Sequence, residues 1–430
     1  MSELQYPIIV RPRFRFAARR IWVNCHVWLA LTAGLLFALL GLTGSLSVYR
    51  EELDGLLNPQ LRVTVAEGAE VLPIDKLYAM LRAAEPNRHG AWTLEMPRAA
   101  DGPITAWFEK PKESYEQFYA PLMVSLDPYT GQVLDRRFWG QTLTTWIMDL
   151  HTHLRLAATG RTVVAWLGGL LMLSIISGLG LWWPGRDRLG DVFRLRHASL
   201  VKLAFDLHRW LGLISACGLL ILAFTGFHLA YPRLLETITA ADGMGHGDDG
   251  PAVRSTGVPN NRPVNLAEAV LVARGPFPKS EVRRVTTPVG ELGTYRINLR
   301  QRDEINQHHP FTTVWVDRWS GQIRDVRNPH RFSAGQRFTT WLWPLHTGEA
   351  FGAAGRFLWF LTGLTPALLY ISGLLHWSYR RGWLADRAID WPGLAERCGN
   401  ACRAGASRMR GWLANRLLPM LRDFSAKWRR

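Results

Sequence analysis

Four apolar stretches, at roughly residues 21–49, 161–183, 205–231 and 354–379, constrain this chain more than any other feature. Each is long enough to cross about 30 Å of hydrocarbon at about 1.5 Å per residue. A segment in lipid must satisfy its own backbone hydrogen bonds, so each reads as a transmembrane helix. The first is too long for the apolar part of a signal peptide and has no small-residue cleavage site behind it, so it reads as a retained span. The spans separate a basic start (1–20), a long segment (50–150), a short basic loop (184–204), a second long segment (232–345) and a basic tail (380–430).

The formal net charge is +16, and its placement carries more information than its size. Arg11, Arg13, Arg15, Arg19 and Arg20 precede the first span, and Arg186, Arg188, Arg194, Arg196 and Lys202 fill the loop between the second and third. Basic residues in short loops stay in the cytoplasm. The expected topology is therefore a multi-pass protein of a bacterial inner membrane, with both termini cytoplasmic and both long segments periplasmic. Topology and anionic lipid account for the charge, so no nucleic acid is expected as partner. Cys25 and Cys217, in or beside spans, read as small buried hydrophobes, while Cys398 and Cys402 lie in a reducing tail with a spacing too common to specify a metal. The segment 241–262 is rich in Gly and Asp and reads as a surface loop, with Met244, His246 and Asp248 as its metal-capable side chains.

The chain also repeats itself. GQTLTTWIMDLHT (from Gly140) and GQRFTTWLWPLHT (from Gly335) match at one offset. So do the stretches starting at His26 and His208, each running from H-x-W-L to a Thr-Gly, and the turns DPYTGQ and DRWSGQ. The second and fourth spans both end in Ser-Gly-Leu followed by Trp and Arg. The expected fold is membrane α-helical: four transmembrane helices in a tandem, parallel repeat, with two periplasmic α+β domains. Each long segment carries one helical pattern (around 72–86 and 265–278), then alternating strands and an Asp/Gly hairpin turn.

Each repeat delivers histidines to the ends of its spans. His26 and His208 sit at the inner ends of the first and third, and His151 and His346 at the outer entrances of the second and fourth. His228, His376 and His153 have no repeat partner. A neutral imidazole offers one lone pair to a metal while its other nitrogen donates a hydrogen bond. A pair facing each other across a bundle holds haem iron from both sides. Without C-x-x-C-H the haem is b-type. Glycines 41, 44, 168, 169, 178, 226, 363 and 373 would let the helices make room. Two pairings satisfy the sequence: His26 with His208 and His151 with His346, or His208 with His376 and His228 with His346. Arg155, Arg161 and Arg356 are candidates for haem propionates, with interfacial snorkelling as the plain alternative. Trp28, Trp146, Trp210 and Trp341 recur beside the histidines and fit either haem packing or an interfacial belt.

These motifs, with the run LHTGEAFGAAGRFLWFLTGLTPALLYISG from Leu345, resemble the PepSY-associated transmembrane proteins, and within them the inner-membrane ferrisiderophore reductases. The resemblance covers residues 15–382. It implies a four-helix core, two PepSY-like periplasmic domains, two haems b on His26, His151, His208 and His346, and one-electron reduction of siderophore-bound Fe(III). Siderophores bind hard Fe(III) through oxygen donors and hold Fe(II) far less well, so one electron releases the iron. No nucleophile motif and no dinucleotide fingerprint is visible, so electrons would come from a membrane quinol or a separate cytoplasmic donor. Trp107, Tyr115, Tyr119, Trp139 and Trp319 are candidates for the chelate site. The rival reading is a non-enzymatic membrane protein whose outer domains bind peptide or partner, or which transports a divalent metal. Beyond residue 385 the tail reads as an amphipathic helix on the inner leaflet.

Overall fold

The computed structural model describes residues 13–183, 195–196, 199–241, 252–257 and 262–386, with isolated positions at 393, 400, 403 and 407. Met244, His246, Asp248, Cys398, Cys402 and the amphipathic tail pattern lie outside the described residues. The chain divides into two compact units, residues 1–187 with 209–371, and residues 188–208 with 372–430.

Four helical segments are long and apolar enough to span a bilayer: Arg19–Val48, Ala157–Trp182, Leu200–Ala230 and Glu349–Arg380. They belong to α1 (Arg13–Val48), α5 (Ala157–Trp182), α6 (Leu200–Ala230) and α10 (Gly352–Arg380). Their small residues bring backbones close. A Cβ at Gly168 would meet the Ala223 carbonyl at 3.0 Å, and one at Gly41 would collide with the carbonyl of Gly363. Cys25 and Cys217 are exposed rather than buried, on helix surface that a bilayer covers. The outer histidines lie on separate short helices, α4 (Leu143–His153) and α9 (Ala334–Thr347), which precede the second and fourth spans.

The two long segments do not stand apart. They form one eight-stranded antiparallel sheet in the order β4-β3-β2-β1-β5-β6-β7-β8. The first contributes β1 (Thr93–Glu95), β2 (Ile104–Phe108), β3 (Leu122–Leu126) and β4 (Val133–Phe138); the second contributes β5 (Glu281–Thr286), β6 (Thr294–Arg300), β7 (Thr313–Asp317) and β8 (Ile323–Arg327). The joint is β1 against β5. A row of paired residues, Val124, Ala106, Leu94, Val285, Ile297 and Val314, crosses that joint, and every member is fully buried. At about 1.5–3 kcal/mol for each large apolar side chain buried, one shared core is what makes two marginal segments stable.

Helices α3 (Ile74–Ala84) and α8 (Leu266–Arg274), the latter following the short α7 (Pro232–Thr239), cover this face with Leu77, Leu81, Leu266, Ala269 and Ala273. Asp75 of α3 accepts from the backbone N–H of Leu266 and Ala267 at the start of α8, which stitches the two helices together. Both hairpin turns close as their sequences predict. Asp127 and Asp317 each accept from two following backbone N–H groups, and Gly131 and Gly321 take φ of 72° and 70°.

Residues alternate along a strand, so the opposite face carries Thr93, Glu95, Trp107, Arg137 and Arg284. That face looks onto the span ends. Asp54, on α2 (Arg50–Leu57) just behind the first span, accepts from Arg137 at 2.8 Å and from Thr144 of α4 at 2.9 Å.

Candidate functional site

Four histidines share one setting. Each ring lies over a glycine on a neighbouring helix, and its Nδ1 meets the hydroxyl of the residue before that glycine. His26 sits on Ser177 and Gly178, His151 on Thr43 and Gly44, His208 on Ser372 and Gly373, and His346 on Thr225 and Gly226. The Nδ1–oxygen distances are 2.7, 3.4, 3.1 and 2.9 Å in that order. At His151 the closer partner is the Leu40 carbonyl, at 2.9 Å. A Cβ on any of the four glycines would meet the ring Cε1, at 3.2 Å for Gly178 and Gly373, 3.1 Å for Gly226 and 2.7 Å for Gly44. These are cradles that only glycine leaves open.

The hydrogen bonds fix the tautomer. Ser177, Thr43 and Thr225 each donate their own hydroxyl proton to a carbonyl on their helix, leaving a lone pair for the imidazole. A carbonyl such as that of Leu40 can only accept. Nδ1 therefore carries the proton in His26, His151 and His346, and Nε2 holds the free lone pair. That is the state of a metal-ligating histidine oriented by its second nitrogen.

His151 and His346 face each other with ring centroids 6.1 Å apart and planes at 36°. A direct hydrogen bond between the rings would bring the centroids to about 5 Å. Two imidazoles on opposite sides of one metal, each at about 2 Å from nitrogen, put them near 6 Å. The observed gap matches the second case. Among the described residues no group of three or more His, Cys, Asp or Glu side chains is placed to share a metal. His151 and His346 are thus two side chains that could hold one ion between them. His26 belongs to the first compact unit and His208 to the second, and each keeps its cradle within its own unit.

The remaining candidates have other surroundings. His228 is buried with an unpartnered Nδ1. His376 also has an unpartnered Nδ1 and stacks on Phe205 at 4.6 Å, one turn from His208. Arg155 reaches Asp149 at 3.4 Å and covers the Trp146 ring, Arg161 covers Phe118, and Arg356 binds Glu52 at 2.6 Å and the Val48 carbonyl. Trp28, Trp146 and Trp341 are exposed and face outward, as belt residues do, while Trp210 is half-buried.

Above the facing pair, the sheet and the span ends build a closed circuit of side chains. One arc starts at Trp139, whose Nε1 donates to Asp149 at 2.7 Å, two residues before His151. It passes to Trp107 (centroids 6.0 Å), Glu95 (3.0 Å), Arg284 (3.4 Å), His309 (2.8 Å) and Trp343 (centroids 5.2 Å), three residues before His346. The other arc returns from Trp343 through Glu349 (3.0 Å), His308, Arg98, Glu51 (2.9 Å) and Arg50 (3.5 Å), whose guanidinium lies over Trp139 at 5.4 Å. Burial would raise the Glu95 pKa, but the charges of Arg284 and Arg98 prevail and hold it below the usual carboxylate range. Sequence reading proposed Trp107 and Trp139 but missed the rest of this circuit. It also noted the Thr-Gly and Ser-Gly dipeptides as repeat marks without seeing that their hydroxyls hold the rings. The recurrence of a hydroxyl residue before glycine on all four spans was the available signal.

Fold and site together define a multi-pass membrane protein with an eight-stranded sheet and two facing, half-buried histidines. The family model for the PepSY-associated TM region matches residues 23–380, and the chain belongs to that family. Comparison with curated proteins finds no match.

Proposed function

We propose that this chain is a di-haem b reductase of a bacterial inner membrane. In this reading it passes single electrons to siderophore-bound Fe(III) in the periplasm for iron uptake, as the ferrisiderophore reductases of its family do. The observation that carries the proposal is the 6.1 Å gap between His151 and His346, with both Nδ1 atoms anchored behind. His26 and His208 have the same hydroxyl and glycine setting, and by that equivalence each is a haem ligand. Haem in such a bis-imidazole site supplies reversible one-electron transfer. If His151 and His346 both hold the haem, they would leave the substrate to dock on protein.

The matched cradles, and the two sets of four strands meeting at β1 and β5, support an internal duplication in which each set is a PepSY-like domain. Flanking basic residues support cytoplasmic termini and a periplasmic sheet. Electrons come from a membrane quinol or a cytoplasmic reductant. One quinol oxidised to quinone releases two electrons and two protons, enough to reduce two ferric chelates to Fe(II).

The test is spectroscopic. Purified protein in detergent is reduced with dithionite under anaerobic conditions, then mixed with ferric siderophore and a ferrous-specific chelator. The expected result is haem reoxidation with one Fe(II) trapped per haem. Reduced haem that persists in excess ferric chelate would refute the reading.

A further inference from the structure

We propose that α7 (Pro232–Thr239) is an interfacial foot whose apolar face lies in the phospholipid of the bilayer leaflet on the sheet side. At the offset that carries His26 onto His208, α7 aligns residue for residue with α2 (Arg50–Leu57), and each starts just after a span ends. The two helices are held differently. α2 is pinned to protein: Glu52 binds Arg356 at 2.6 Å, and Asp54 accepts from Arg137 at 2.8 Å and from Thr144 at 2.9 Å. In α7 the position of Glu52 is taken by Leu234, so an apolar stripe stands where α2 has an ion pair. Leu234, Leu235 and Ile238 fall within an arc of about 100° on the helix, with Arg233, Glu236 and Thr237 on the other side. Protein does not cover the stripe. Leu234 and Ile238 are 48% and 72% exposed, and Tyr231 at the entry is 51% exposed.

Position decides what covers it. The third span, Leu200–Ala230, has 31 residues, about 46 Å of helix, against a hydrocarbon thickness of about 30 Å. Its end reaches the headgroup layer, where Tyr231 breaks the helix and Pro232 starts the next. A helix with Leu and Ile on one face and Arg and Glu on the other suits that layer. Its apolar side chains sit among acyl chains, and Arg233, which is exposed, reaches lipid phosphate. The stretch that follows, DGMGHGDDG from Asp242, offers Met244 as its one large apolar side chain, too little to cover the stripe. The foot also bears on the facing histidines. The Thr239 carbonyl at the end of α7 closes on Gly335 in the first turn of α9, so a Cβ there would collide with it, and α9 carries His346.

Lipid contact can be read without mutation. The full-length protein is reconstituted in nanodiscs of phosphatidylcholine that carries a diazirine on its acyl chain. After photolysis, lipid adducts are expected on Leu234 or Ile238. A nitroxide label then reports which face meets lipid, placed by Ile238→Cys or by Arg233→Cys in a chain whose native cysteines are replaced by alanine. At 238 oxygen should relax the label several-fold more than a water-soluble nickel chelate does, and at 233 the order should reverse. A label at 238 that favours the nickel chelate overturns the proposal. So does a spectrum at 238 broadened by a second label at close range, which would put another copy of the chain on this face. The absence of lipid adducts from α7 in wild type overturns it too, whether or not the labelled chains fold.

Discussion

The two connectors that lead from the facing histidines into their spans are aligned residue for residue, yet they are built differently. After His346 the chain turns through Gly348 and Gly352, at φ of 83° and 60°. After His151 the matching positions are His153 and Ala157, and the turn is made by Leu154, Arg155 and Ala157 at φ of 51°, 54° and 55°. Residues with a Cβ pay roughly 1–2 kcal/mol each in that left-handed region. The buried acid has moved as well. Asp149 accepts from Trp139 before His151, whereas its counterpart is Pro344 and the acid beside His346 is Glu349, which accepts from Trp343 and Thr347. Both halves thus keep a histidine, a hydroxyl-glycine cradle and a tryptophan bonded to a carboxylate, but reach the last of these from opposite sides of the histidine. The cradle is the same in both halves, while the connector differs.

Breaking each cradle in turn sharpens this comparison. Gly44→Ala should empty the site shared by His151 and His346, because its Cβ would stand 2.7 Å from the ring. Gly226→Ala, at 3.1 Å, should only lower occupancy. Overpacking of this kind costs roughly 1–3 kcal/mol, and haem content per chain in the two variants checks the order. The hydroxyls should differ in the same graded way. Thr225 is the near partner of His346, but Thr43 stands behind the Leu40 carbonyl at His151. Thr225→Val should leave a buried N–H unsatisfied, at about 1–3 kcal/mol, and make the midpoint potential more positive as the imidazole loses basicity. Thr43→Val should shift it less, and a redox titration of both variants reads the difference.

A smaller effect belongs to the circuit. The Glu95 pKa is depressed in the folded protein, so its stabilisation is present above the unfolded-state value and lost as pH falls through the lower folded one. Acid should therefore loosen the sheet below about pH 4, and Glu95→Gln should remove that part of the acid transition in a melting series. Smallest of all are the connectors themselves. Ala157→Gly should stabilise by up to about 1 kcal/mol, the released strain less the entropy of glycine. Gly352→Ala should destabilise by roughly 1–2 kcal/mol, since it places a Cβ at φ 60°. Thermal midpoints of the two variants should move in opposite directions.

Spans, turns and repeat were legible in the sequence because each is a local pattern. Twenty-odd apolar residues, an Asp four residues before a Gly, or a doubled Leu-His-Thr needs no knowledge of the rest of the chain. The joint of the sheet was not legible: β1 is only Thr93–Glu95, too short to show a period. Nor was the facing of His151 and His346, since four rings in like motifs allow more than one partnership. That choice depends on which helix carries the hydroxyl behind each ring, a fact of packing. The circuit was hidden for the same reason, because Glu95 and Arg284 meet only when two distant strands align.

The most direct measurement is haem per chain in purified wild type and His346→Ala, with the electron paramagnetic resonance of the oxidised iron. The account predicts two haems b, both low-spin with two imidazoles, and the loss of one signal in the variant while the other is unchanged. A colourless wild type from haem-replete cells, or a variant that keeps both signals, would contradict it.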